Sequence, residues 1–104
     1  MTQEEILAMQ PGHELNAKVA EKIMGQVITK DEYFGYMKRS NSVKDGSSVW
    51  SAVEPYSQDI SAAELVVDKM IERGFADATN WANFGEGRYT EAEAICKSAL
   101  LAIL

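Results

Sequence analysis

The stretch Glu54-Pro55-Tyr56-Ser57-Gln58-Asp59-Ile60 constrains this chain more than any other. The Pro55 ring fixes its own φ and holds Glu54 extended, so a strand or loop ends here and the chain turns into a helix. Ser57 is expected to be the N-cap, its hydroxyl accepting from one of the first free backbone N–H groups, while Asp59 in the first turn suits the positive helix end. Ile60, Ala63, Val66, Val67, Met70 and Ile71 then recur three and four apart, which predicts one broad apolar packing face before Gly74 closes the helix.

Three further helices are predicted around this one. Thr2-Gln3-Glu4-Glu5 has capping-box spacing, and Ile6, Leu7 and Met9 would dock a short helix that Pro11-Gly12 ends. From His13 to Met24, Leu15, Val19 and Ile23 recur every four residues, and Gly25 supplies a stop. Thr90-Glu91-Ala92-Glu93 is a second capping box, followed by Ala92, Ile95, Cys96, Ala99, Leu100 and Ile103 in an unbroken three-four pattern. Between the helices lie short strand candidates. Val27-Ile28 is β-branched and precedes a turn expected at Lys30-Asp31. Tyr33 to Met37 reads as a strand or an ordered loop, Lys38 to Ser48 as an exposed loop, and Val49 to Val53 as a short strand. Phe75 to Tyr89 offers room for a short hairpin through Gly85-Glu86-Gly87.

At 104 residues, with no linker and no internal repeat, the chain is expected to form a single domain over residues 1–104. A net charge of −6 argues against a nucleic-acid partner, because that affinity comes largely from Lys and Arg neutralising phosphates. Cys96 is the sole cysteine, which excludes an intramolecular disulfide, and with a single histidine it makes a Cys/His metal site a poor expectation. No apolar run approaches about 20 residues and the N-terminus is acidic, so no membrane span is expected and a cytoplasmic location is. There is no P-loop, no dinucleotide fingerprint and no metal-ligand spacing, so neither a cofactor nor an enzymatic activity is expected.

Among the candidate functional residues, the aromatic ones concentrate in the non-helical half. Tyr33, Phe34, Tyr36, Trp50, Tyr56, Trp81, Phe84 and Tyr89 could stack on a planar ring, and Lys38, Arg39 and Arg88 could hold phosphates beside it. The competing reading is that a small sheet needs large side chains to cover it. His13 at a helix start reads as a cap or surface residue, and Cys96 on an apolar stripe as a packed thiol.

Three blocks of the chain resemble the phage ABA sandwich domain family. They are Pro11 to Gly25, Pro55 to Ala63 and Glu93 to Leu101, in that order. The resemblance implies an α+β fold, a three-layer α/β/α sandwich of about four helices packed on a small antiparallel sheet. It also implies a phage accessory protein of the bacterial host cytoplasm that binds rather than catalyses. With the aromatic distribution, this favours sequestration of a nucleotide-like small molecule, an immune signal of the host. The alternatives are a module that occupies a host defence protein, and a small hydrolase with a dispersed site. Short strands leave edges to protect, so a homo-oligomer is expected.

Overall fold

A computed structural model describes residues 2–40, 49–75 and 89–104. Among these, four helices and a three-stranded antiparallel sheet give the α+β fold that the sequence predicts: α1 (Gln3–Ala8), α2 (His13–Lys22), β1 (Ile28–Asp31), β2 (Gly35–Ser40), β3 (Val49–Ala52), α3 (Ile60–Glu72) and α4 (Glu91–Ala102). The hairpin expected between Phe75 and Tyr89 falls mostly on residues outside the described ones.

Caps set the helix boundaries. Thr2 accepts from Glu5 N at 3.1 Å, and its hydroxyl in turn donates to the Glu5 carboxylate at 3.2 Å. Thr90 accepts from Glu93 N at 3.2 Å, which opens α4. In both, a β-region residue satisfies one of the free N–H groups of the first turn. At the other end of α3, Gly74 takes φ +90°, a left-handed value that costs glycine nothing and stops the helix.

The sheet runs β1-β2-β3, with Thr29 opposite Met37 and Met37 opposite Ala52. Its first connection falls later along the chain than the sequence predicts. Lys30 and Asp31 belong to β1 itself, and the turn falls on the next three residues. Asp31 Oδ1 accepts from Tyr33 N at 2.7 Å and from Phe34 N at 3.0 Å, and Gly35 at φ +73° completes the reversal. This is a side-chain-stabilised three-residue loop with its left-handed position on glycine. Lys38, Arg39 and Ser40, read from sequence as loop, continue β2, because pairing with β3 outweighs their polarity.

The core centres on α4 rather than α3. Residues Ala92 through Lys97 are all buried, and α4 packs against α1, α2 and α3, while α2 lies against β1 and β2. Ile6, Leu15, Val19, Ile23, Met70, Cys96 and Leu100 interlock there. Lys97 is 1% exposed and fully engaged. Its ammonium sits 2.8 Å from Glu93 Oε2, donates to Leu7 O at 3.1 Å and lies 4.3 Å from the Tyr89 ring centroid. The charge therefore fastens α1 to the central helix.

The Pro55 turn also works differently from its sequence reading. Asp59 is the N-cap of α3 and accepts from Ser61 N at 2.8 Å. Ser57 is buried and reaches across the fold to α2: its Oγ donates to Asn16 Oδ1 at 2.5 Å and accepts from Gly12 N at 2.9 Å. Ser57 N donates to Asn16 Oδ1 at 2.8 Å, and Asn16 Nδ2 donates to Gln58 Oε1 at 3.3 Å. Ser57 falls two residues before the Asp59 cap, too early to cap α3, and a buried hydrogen-bonding partner takes up its hydroxyl instead.

Candidate functional site

The pleat of the sheet sorts its side chains into two sets. Residues opposite one another in an antiparallel pair point the same way. Ile28, Lys38 and Ser51 share one face, and Ile28 packs against the core. Thr29, Met37 and Ala52 share the other face, together with Arg39 and Trp50, which are directly opposite each other. A concavity of about 410 Å³ opens on this second face, lined by Thr29, Asp31, Phe34, Met37 and Trp50.

The predicted ring-stacking and phosphate-holding residues divide accordingly. Trp50 is 42% exposed on the open face, and Arg39 beside it makes no ion pair among the described residues. Tyr36 points the other way and sits under Lys30 Nζ, 5.6 Å from its ring centroid. Lys38 is on that same core-side face, paired with Glu54 Oε1 at 2.8 Å, so its charge is already balanced. Tyr33 stands at the hairpin tip, 89% exposed and away from both sets. Tyr56 is 1% exposed in the core, and burial pushes its phenol above its ordinary pKa, partly offset by the hydrogen bond from Gln26. A buried phenol cannot stack on a ligand, so Tyr56 is structural. Trp81, Phe84 and Arg88 lie outside the described residues, and the Tyr89 ring is held against Lys97 on α4.

The structure thus brings Phe34 and Arg39 to the same face as Trp50, and adds Thr29, Asp31 and Met37, which the sequence reading does not assign to a site. The register that unites them is a sequence-level signal. A three-residue loop between Asp31 and Gly35 places Thr29 against Met37 and sets Arg39 two residues further along the same face. A planar ring can lie against the Trp50 indole, and the Arg39 guanidinium can take an anionic group at its edge. Asp31 is committed to the turn through one oxygen, which leaves the other as an acceptor at the rim.

A larger hollow, about 570 Å³, follows the junction of α1 and α2 past Glu5, Gln10, His13 and Glu14. It lacks an aromatic platform, and no group of carboxylate, histidine or cysteine side chains suited to a metal ion occurs among the described residues. Cys96 is enclosed on α4, its thiol pushed up to about 12 by burial, with the Glu93 carboxylate adding to the effect, so it is no nucleophile at neutral pH. No helix among the described residues is long and apolar enough to cross a membrane.

A family model described as the phage ABA sandwich domain matches residues 17–100, a span that takes in all three strands and α3. No curated protein and no solved structure matches the chain.

Proposed function

Because the chain belongs to the phage ABA sandwich domain family, we propose that it is a phage accessory protein that acts by binding, and that it sequesters a small nucleotide-derived signal of host defence. The observation that carries this reading is the pairing of Arg39 with Trp50 across β2 and β3, beside a concavity of about 410 Å³. That volume lies within the roughly 300–1,000 Å³ typical of small-molecule sites. A ring-stacking indole next to a guanidinium that makes no ion pair among the described residues suits a ligand that combines a flat base with a phosphate. The net charge of −6 makes such a local cation more selective, since a long nucleic acid is repelled by the rest of the surface while a compact ligand meets only the site.

Thermal-shift titration against cyclic dinucleotides, cyclic ADP-ribose isomers and mononucleotides tests the proposal. A ligand that binds the folded protein raises its melting temperature with concentration. The wild type is expected to respond to at least one of these compounds, and Trp50→Ala and Arg39→Ala to lose the response while keeping the melting temperature of the free protein. A flat response across the set discards sequestration. Conversion of the bound compound to product replaces it with a hydrolase.

A further inference from the structure

Helix α3 carries more apolar surface than its packing uses. Ala62, Ala63, Val66 and Met70 are buried, yet Ile60 and Ile71, counted from sequence on the same packing face, are 39% and 51% exposed. With the half-buried Val67 they fall within about 40° of one another around the axis, at roughly 100° per residue. Glu64 occupies the remaining position of this series. Ile60, Glu64, Val67 and Ile71 thus follow the alternating four-three spacing of a seam that packs against another helix, with a carboxylate in one place. Asp68 and Glu72 stand exposed along its margin, the latter only 3.5 Å from Lys69 Nζ.

Charge decides what such a seam accepts. A second copy aligned in parallel sets Glu64 against Glu64. Aligned antiparallel, it brings Ile60 over Ile71 but encloses each Glu64 carboxylate against Val67 without a counter-charge. Both arrangements are penalised, and each copy adds a further net charge of −6. A helix with Lys or Arg facing Glu64, and apolar residues facing its neighbours, turns the same carboxylate into a pairing group that fixes the alignment. We infer that α3 is a docking surface for a basic amphipathic helix of another protein, held by Ile60, Val67 and Ile71 and registered by Glu64. It shares no residue with the Arg39–Trp50 face and stands whether or not that face takes a ligand.

The test is fluorescence anisotropy with a labelled synthetic helix of about five turns. Leucine occupies its seam positions, lysine stands opposite Glu64, and further lysines lie along the margin. Wild-type protein is expected to bind it, and Glu64→Lys to weaken binding by about tenfold or more. Glu21→Lys makes the same charge change on an exposed part of α2 and is expected to weaken it far less. Ile71→Ser, at a position exposed in the free protein, should weaken binding without lowering the melting temperature. Absence of binding, or equal losses in Glu64→Lys and Glu21→Lys, overturns the assignment. So does a wild-type dimer in sedimentation that Ile71→Ser dissolves, since the seam then belongs to a second copy.

Discussion

The link between Ser57 and Asn16 gives the most quantitative test of how the fold is held. Both residues are buried, 0% and 3% exposed, and they are joined by the Ser57 hydroxyl and the Ser57 backbone N–H. Ser57→Ala deletes the hydroxyl's bonds to Asn16 Oδ1 and from Gly12 N. Each is worth about 1 kcal/mol net, and the Gly12 N–H is left without its partner, so the loss comes to roughly 2–3 kcal/mol. For a domain of this size that is a fall of roughly 10–20 °C in melting temperature. A helix cap would cost only about 1 kcal/mol, which is the effect expected for Asp59→Ala. The decisive quantity is the coupling in a double-mutant cycle of Ser57→Ala with Asn16→Ala, followed by urea denaturation. A clip predicts a coupling of about 1–2 kcal/mol between residues far apart in sequence. Additivity within about 0.5 kcal/mol, with Ser57→Ala no worse than Asp59→Ala, refutes the buried clip.

Three other substitutions probe separate parts of the structure. Lys97→Ala leaves the nearly buried Glu93 carboxylate and the Leu7 carbonyl without their donor, so a loss of about 3–5 kcal/mol in denaturant unfolding is expected, with early fraying of α1 by hydrogen exchange. Cys96 has a folded-state pKa of about 12 against 9.0 for an ordinary thiol. The unfolded chain therefore releases its proton first as pH rises, and stability that is fully present below pH 9.0 falls towards pH 12 by up to about 1.4 kcal/mol per pH unit. Cys96→Ala should flatten that part of the curve, leaving the fall that the raised phenol of Tyr56 causes above pH 10.0. Gly35→Ala forces a side chain into φ +73° at the hairpin turn and should cost about 1 kcal/mol by thermal unfolding.

Much of the helical framework is legible in the residues because its determinants are local. Thr2, Thr90 and the Pro11-Gly12 break act within a few residues, and the threonine hydroxyls that accept from Glu5 N and Glu93 N start α1 and α4 where the capping-box spacing predicts. What is not legible depends on partners distant in sequence. Ser57 has the chemistry of a cap, and only the proximity of Asn16 makes it a clip. Ile60 and Ile71 match the period of a packing face, but the arc in contact with α4 is narrower than the apolar arc of α3. Lys97 looks like a solvated helix residue until Leu7, Glu93 and Tyr89 surround it. The site divides in the same way. Aromatic composition points to the non-helical half, yet strand register alone decides that Trp50 and Arg39 share the open face while Tyr36 and Lys38 do not.

Binding on that open face is tested most directly by the amide and indole chemical shifts of isotope-labelled protein. Titration with cyclic dinucleotides and cyclic ADP-ribose isomers is expected to move the Trp50 indole N–H together with the amides of Thr29, Met37 and Arg39, while those of Leu15 and Ala99 in the core stay in place. Saturating shifts confined to residues away from this face, or none with any of these compounds, would contradict it.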